Sequence, residues 1–334
     1  MYQLNAHSYL HPSPWNEEEE IAQGRLGCHI QPLPLEELPP LLPARSIVFL
    51  GFSSDEGVRR NLGRFGAADA PEPLRKALKN LAWNEKTISL WDSGTICCHE
   101  DNLEKAQKLL AETIATLRAR GAFVIVLGGG HEMAWGHFQG LVKSYSSLKT
   151  PSLDPNDPTL NIDVVNFDAH FDLRPLFPNG NGSSGTSFRQ IHHYCTEKKI
   201  ASRYACLGLQ PLGNTANLFD YAHSINTYYT LAEEMIYRPH LVHESLGAWL
   251  AASKNIYLTL CLDVFASAYA PGVSSPQAFG LSPYTLLPFF RQVLESGKVI
   301  GFDIAELNPI YDQDSQTAKL AAHFVAEVLK NYVG

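Results

Sequence analysis

The chain has 334 residues, of which 45% are hydrophobic and 18% charged, and 26 Lys and Arg against 34 Asp and Glu give a formal net charge of −8. This apolar content supports a full hydrophobic core and excludes a wholly disordered chain. The acidic balance argues against a nucleic acid as partner. No apolar run approaches the ~20 residues that span a bilayer, and the N-terminus resembles no secretory signal. We therefore expect neither membrane nor nucleic acid as partner.

Six cysteines are scattered along the chain, and no two of them form a CxxC pair. This spacing is typical of neither a zinc finger nor a small disulfide framework. The simplest interpretation is a cytoplasmic protein with reduced thiols.

The first 44 residues differ in composition from the rest. They carry the acidic run Glu17–Glu20 and the proline-rich stretch PLPLEELPPLLP. Because proline fixes φ and removes a hydrogen-bond donor, we predict an arm or extended segment over residues 1–44, with a partly disordered tail as the alternative. Residues 45–334 are predicted to form one domain.

From Ser46 onward, short apolar runs alternate with helical patterns. The runs are rich in Val, Ile, Leu and Phe, which is typical of strands buried on both faces. They cover residues 46–52, 87–92, 123–128, 163–168, 204–209, 224–229, 256–263 and 298–304. The alternation predicts a parallel sheet with helices on both faces.

Two of the helical segments have clear signals. Residues 102–120 repeat apolar positions on one face and are followed by Gly121, a helix-ending residue. The apolar positions are Leu103, Ala106, Leu110, Ile114 and Leu117. The segment 282–297 opens with Ser282 and Pro283, a favourable N-cap and first helical residue.

Ligands of such sheets bind at the carboxyl ends of the strands, and the strongest signal there is Asp168-Ala-His170-Phe-Asp172. Alternate residues of an extended chain point the same way, so these three side chains can converge. Carboxylates and imidazole together suit Mn²⁺, Zn²⁺ or Fe²⁺. The alternative is that Asp168 caps a helix and His170 packs in the core.

Three other predicted strands also end in polar residues. His131 follows three glycines, Cys261 and Asp263 end the run 256–263, and Glu306 follows the run 298–304. The glycines precede no Lys-Ser/Thr and His131 opens no HExxH, so neither a phosphate loop nor a metalloprotease helix is indicated. A structural His131 and a helix-capping or surface Glu306 remain alternatives. Four such strand ends in one chain favour a metal site.

Five ordered segments resemble the ureohydrolase family of arginases, agmatinases and formimidoylglutamases. They are GGGHEMAWG (128–136), NFDAHFDLRP (166–175), SSGTSFRQ (183–190), LDVFASAYAPGVSSP (262–276) and GFDIAELNP (301–309). The segment 57–78 also fits, so the resemblance covers about residues 45–330. It implies a three-layer α/β/α sandwich with an eight-stranded parallel sheet, as one ureohydrolase-like catalytic domain over residues 45–334, commonly in a homo-oligomer.

The DLRP, SGT-F-R and APGVSSP segments are most similar to formimidoylglutamase. The resemblance implies a small-molecule substrate, N-formimidoyl-L-glutamate, hydrolysed to L-glutamate and formamide in histidine degradation. Agmatinase or another guanidino-acid hydrolase is the alternative enzyme. A catalytically weak ureohydrolase-like structural or regulatory protein is the alternative of another class.

The resemblance implies two Mn²⁺ ions per chain that share Asp168. One ion takes His131 and Asp172 in addition, and the other takes His170 and Asp263. The sequence departs from the arginase pattern at Cys261, which occupies the position of a bridging carboxylate. A Cys-bridged pair, a weakened second site, a single metal, and a buried thiol without metal contact all stay open. A thiolate would shift the preference from Mn²⁺ toward Zn²⁺ or Fe²⁺.

The resemblance and the substrate chemistry also imply roles for further residues. Asp263 would carry a proton to the leaving amine, and Glu306 would pair with the amidine nitrogens. Because the substrate has two carboxylates, Arg174 and Arg189 are predicted to bind it, with surface ion pairs as the alternative for both arginines.

Overall fold

A computed structural model describes residues 10–11, 24–147 and 160–332, so the acidic run Glu17–Glu20 lies outside the described residues. Its strands join into one sheet. They are β1 (Leu10–His11), β2 (Ile30–Pro32), β3 (Ser46–Ser53), β4 (Ser89–Cys97), β5 (Phe123–Leu127), β6 (Asp163–Phe167), β7 (Tyr204–Leu209), β8 (Tyr228–Leu231), β9 (Ile256–Cys261) and β10 (Val299–Ala305).

Each of the eight predicted runs overlaps a strand, and these eight strands are parallel in the order β4-β3-β5-β10-β9-β6-β7-β8. The count of eight is two too low for the described chain. Two short strands pair with the outer edge of β4: β2 is parallel to β4, and β1 is antiparallel to β4. Segments of two and three residues are too short to leave a periodic pattern, so the sequence could not reveal them.

Helices cover both faces of the sheet, so the molecule has three layers: helices, sheet and helices. They are α1 (Glu56–Arg60), α2 (Pro71–Lys79), α3 (Leu103–Ala119), α4 (Met133–Ser147), α5 (Ser187–Lys198), α6 (Ala216–Ser224), α7 (Ala232–Tyr237), α8 (Pro239–Ala251), α9 (Pro283–Glu295) and α10 (Gln316–Asn331). Helices α3 to α6 share one core with alternate strand residues such as Val48 and Leu50, while α2 and α7 to α10 share the other with Ile47 and Phe49. The predicted α/β/α sandwich is confirmed.

The helices with clear sequence signals form as expected. All five predicted apolar positions of α3 are buried, and the Asn102 side chain caps its first turn by accepting from Lys105 N at 3.1 Å. Ser282 Oγ accepts from Thr285 N at 3.0 Å at the start of α9. None of the described helices is both long and apolar enough to cross a bilayer.

The strand order brings the predicted chemistry together. Strands β5, β10, β9 and β6 are consecutive neighbours in the sheet, and all four are parallel. The residues that follow these four strands therefore emerge side by side at one edge of the sheet. They are the four strand ends at which the sequence predicted ligand-type residues.

Candidate functional site

His131 reaches the site through a tight turn after β5. Gly128 and Gly129 have φ of +77° and +82°, and a Cβ on Gly129 would lie 2.6 Å from the Phe52 carbonyl oxygen. Only glycine adopts this path without strain. The turn buries His131 and lets its backbone N–H donate to Glu306 Oε1 at 2.8 Å.

The segment after β6 carries three of the predicted residues. Asp168 Oδ1 accepts from His170 N at 2.7 Å, and Asp168 Oδ2 accepts from Asn166 Nδ2 at 3.0 Å. The extended path predicted for this segment ends at Asp172, whose φ is +48°. This left-handed turn is uncommon for a residue other than glycine and is typical of functional sites.

Two overlapping groups of metal-ligand atoms lie at this edge, with all atoms of each group within 4.8 Å of one another. The first group contains His131, Asp168 and Cys261, and the second contains Asp168, His170 and Asp263. Asp172 Oδ2 lies 3.0 Å from His131 Nδ1, so it adjoins the first group. The structure thus brings all the predicted metal residues together, and it places the Cys261 sulfur among them.

The arrangement fits divalent cations. His131 Nδ1 lies 3.0 Å from Asp168 Oδ2 and from Asp172 Oδ2, yet it is buried without hydrogen-bond geometry to any described group. His170 Nδ1 lies 3.0 Å from Asp263 Oδ2. A buried nitrogen directed between carboxylate oxygens would be satisfied by a cation that all of them bind. Three carboxylates and two imidazoles suit Mn²⁺, and the Cys261 sulfur adds a softer atom.

The pKa values of the clustered carboxyl groups also favour a bound divalent cation. Burial and the Asp168 charge raise the pKa of Asp172 to about 6 and also raise the pKa of Asp263. Burial opposes ionisation of Asp168, but the nearby His131 and His170 imidazoles outweigh it and lower its pKa. Carboxylates this close repel one another, and a divalent cation between them removes that repulsion.

The Cys261 thiol is protonated without a metal. Burial raises its pKa well above the ordinary value, and the neighbouring Asp168 and Asp263 carboxylates raise it further. The centre then carries at most three negative charges, from Asp168, Asp172 and Asp263. Two divalent ions bring four positive charges, so Cys261 decides whether the centre can balance them.

A cavity of about 280 Å³ opens over these groups. Asp263, Cys261 and Glu306 line it, and burial and the nearby Glu132 raise the pKa of Glu306 well above its ordinary value. Glu306 also has a left-handed φ of +70°. The remaining lining comes mainly from loops: Asn61, Leu62, Gly63, Arg64, His170, Asp172, Arg174, Ser184, Gly213, Asn214, Leu218, Ser274 and Ser275.

The two arginines predicted to bind the substrate lie in different surroundings. Arg174 is exposed and lines the cavity. Arg189 is not among the cavity residues: its Nη1 donates to the Leu173 carbonyl at 3.2 Å, and its guanidinium carbon lies 3.7 Å from the centre of the Tyr221 ring. Arg189 therefore holds the backbone next to Arg174.

Three residues at the site received no role from the sequence. Arg64 lines the cavity, and its guanidinium donates to the Ser274 carbonyl at 3.1 Å. Asn61 lines the same wall, and both belong to the 57–78 segment that carried part of the family resemblance. Thr259 Oγ1 lies 2.9 Å from His131 Nε2. It lies inside an apolar strand run, where nothing in the sequence marks it.

Known proteins resemble this chain in sequence and in architecture. Formimidoylglutamase of Legionella pneumophila is 42% identical over 293 residues, which are 85% of each chain, and that of Clostridium tetani is 41% identical over 94% of this chain and 91% of its own. A crystal structure of Trypanosoma cruzi formiminoglutamase with two Mn²⁺ superposes with a TM-score of 0.72, at 26% identity over 86% of this chain and 93% of its own. The model of the arginase family matches residues 45–330. The chain belongs to the arginase family.

Proposed function

We propose that the protein is a formimidoylglutamase, which hydrolyses N-formimidoyl-L-glutamate and water to L-glutamate and formamide. The observation that carries this proposal is the pair of ligand groups that share Asp168, next to a cavity that Asp263, Cys261 and Arg174 line. The curated relatives of that name, which match at 41–42% identity over most of the chain, support the same reaction.

The cofactor is manganese, with two ions per chain. His131, Asp168 and Asp172 would hold one ion and His170, Asp168 and Asp263 the other, in keeping with the overlapping ligand groups. When bound, such a metal pair lowers the pKa of water to near neutrality and stabilises developing negative charge. The chain's own residues then orient the substrate and move its protons.

Glu306 is placed to orient the amidine. It lines the cavity, and one of its oxygens is held by the His131 backbone N–H. A carboxylate beside an amidinium forms a charge-assisted pair. The positive charge of the substrate amidinium offsets the cost of ionising the buried Glu306. This pair directs the amidine carbon toward the ligand groups.

Asp263 is placed to carry a proton. Its Oδ2 lies 3.0 Å from His170 Nδ1, and burial together with the Asp168 charge raises its pKa. A carboxylate with a raised pKa accepts a proton from water more readily near neutral pH. Delivery of that proton from the Asp263 carboxyl to the departing glutamate nitrogen completes C–N cleavage.

Arg174 supplies the contact that selects an anionic substrate. Its guanidinium can bind a carboxylate bidentately, and agmatine offers no carboxylate for this contact. Arg189 supports it indirectly, since its bond to the Leu173 carbonyl fixes the preceding residue.

The proposal extends to the organisation of the molecule. Residues 45–334 form a single catalytic domain, and residues 1–44 form an arm over it, which the pairing of β2 with β4 and the burial of Leu33 and Leu42 support. We place the protein in the cytoplasm, in keeping with its free Cys97 and Cys98 thiols. A homo-oligomer is proposed from the family resemblance alone, and light scattering after size exclusion tests it.

The test is metal analysis of the purified protein, followed by measurement of formamide released from N-formimidoyl-L-glutamate with Mn²⁺, Zn²⁺ or Fe²⁺. We expect two bound Mn²⁺ and turnover of this substrate in preference to agmatine and arginine. Preferential turnover of agmatine or arginine would overturn the substrate. Absence of turnover by folded, metal-loaded protein would favour the catalytically weak alternative.

A further inference from the structure

A buried row of polar side chains leads away from the metal-facing side of His131. The Nε2 atom of that ring lies 2.9 Å from Thr259 Oγ1. Tyr257 precedes Thr259 by two residues on β9, so both side chains point to the same face of the strand, and the nearby Thr259 hydroxyl acts to lower the pKa of the Tyr257 hydroxyl. The row thus runs along the α4-facing side of the sheet, away from the ligand group.

The row ends at a carboxylate that has two donors. Tyr257 donates its hydroxyl hydrogen to Asp303 Oδ2 on the neighbouring strand β10, and His137 Nδ1 on α4 lies 2.6 Å from the same oxygen. Thr259, Tyr257, Asp303 and His137 are all fully buried. None of them lines the cavity, so none can touch the substrate there.

Counting hydrogens gives the row one direction. Tyr257 has a single hydroxyl hydrogen, which Asp303 accepts, so toward Thr259 the Tyr257 oxygen can act only as an acceptor, which agrees with the lowering effect of Thr259 on the Tyr257 pKa. The Thr259 hydrogen is then used, and the Thr259 oxygen must accept from His131 Nε2–H. The other ring nitrogen of His131, Nδ1, keeps its lone pair and faces Asp168 and Asp172 at 3.0 Å.

We propose that the row Thr259–Tyr257–Asp303–His137 holds His131 in the orientation and tautomer that bind the metal, so that these four buried side chains are positioning residues of the centre. The inference rests on the proposed function only in taking His131 as a metal ligand. An outer hydrogen-bond partner fixes the tautomer of a ligating histidine, and its loss typically lowers metal affinity about 10–100-fold.

The experiment compares hydroxyl removal inside and outside the row. Thr259→Val and Tyr257→Phe each break the row, Thr259→Ser keeps its hydroxyl, and Tyr145→Phe removes the hydroxyl of another buried tyrosine on α4. Mn²⁺ affinity of the metal-free proteins is measured by titration calorimetry without substrate. Circular dichroism and thermal unfolding without metal establish that each variant is folded.

We expect Thr259→Val and Tyr257→Phe to weaken Mn²⁺ binding at least about tenfold. We expect Thr259→Ser to restore it to within about threefold of wild type, and Tyr145→Phe to leave it unchanged. Because the row acts as a unit, the double variant should bind Mn²⁺ no more weakly than Thr259→Val alone. If Tyr257→Phe does not fold, the comparison of Thr259→Val with Thr259→Ser is sufficient to test the proposal.

Wild-type affinity in folded Tyr257→Phe, or equal affinities in Thr259→Val and Thr259→Ser, would overturn the inference. Its failure can be told from failure of the proposed function because the readout is metal affinity and no substrate is present. A wild-type protein that is inactive on N-formimidoyl-L-glutamate but shows the expected affinities would support the inference and refute the substrate.

Discussion

Replacement of Arg174 by alanine tests how the enzyme selects an anionic substrate. Arg174 lines the cavity and its side chain is exposed, so its truncation should leave the fold intact and act on substrate binding. A hydrogen bond to a charged group contributes about 1.5–3 kcal/mol. Because Arg174 is exposed, solvent screening weakens its contact with the substrate, so we take the lower end of this range, about 1.5 kcal/mol. Loss of this contribution corresponds to a decrease of about tenfold in kcat/KM.

The assay measures formamide release from N-formimidoyl-L-glutamate and from analogues that lack either carboxylate. Wild type should prefer the full substrate, and Arg174→Ala should lose its preference over one of the two analogues, because the variant has no guanidinium for the missing carboxylate. The loss should appear in KM more than in kcat, since Arg174 binds a part of the substrate that does not react.

Arg189→Ala is the matched control. Its loss removes a cation–π contact worth ~0.5–1 kcal/mol and one hydrogen bond worth ~1 kcal/mol. We therefore expect the free energy of unfolding to fall by about 1–2 kcal/mol, with a smaller change in kcat/KM than for Arg174→Ala. If Arg189→Ala loses substrate discrimination while Arg174→Ala keeps it, the assignment from the cavity lining is refuted.

Three further predictions concern charge at buried positions. Cys261→Asp should tighten Mn²⁺ binding, because it adds a fourth negative charge against two divalent ions; titration of the metal-free proteins with Mn²⁺ checks this, and an unchanged Mn²⁺ affinity would mean that the Cys261 sulfur is no ligand. Burial raises the pKa of Glu132 to about 7, so the folded state binds a proton that the unfolded state releases near pH 4.5. Relative to Glu132→Gln, metal-free wild type should therefore lose ~3 kcal/mol of stability as the pH rises from about 4.5 to about 7, as measured by urea unfolding; parallel pH profiles would contradict this. Asp92→Asn should lower the free energy of unfolding by ~3–5 kcal/mol, since the buried Arg75 guanidinium loses the charge it contacts at 2.8 Å; urea unfolding measures it, and a loss below ~1 kcal/mol would show that the pair is dispensable.

The fold was predictable where burial leaves a strong pattern. Central strands buried on both faces are continuous apolar runs, and β5, β6 and β9 fall within their predicted ranges. The prediction for the edge strand β8 was displaced: residues 224–229 were expected, and Tyr228–Leu231 form the strand. Its residues are only half-buried apart from Thr230, so the apolar pattern weakens there.

The site was predictable as far as local spacing reaches. Asp168, His170 and Asp172 lie within five residues, so one turn of chain brings them together. The contribution of Thr259 and the separation of Arg174 from Arg189 depend on strand order and loop path, which are set by tertiary packing. No local pattern of residues encodes them.

The two edges of the sheet have a consequence for how the molecule behaves at high concentration. An unpaired strand edge offers backbone donors and acceptors to any neighbouring chain and can start edge-to-edge aggregation. On one side, β1 and β2 already occupy the outer edge of β4. On the other side, β8 has only four residues, which gives an incoming strand little to pair with. Removal of the residues before Ser46 would expose the nine-residue edge of β4. The truncated chain should then self-associate through that edge.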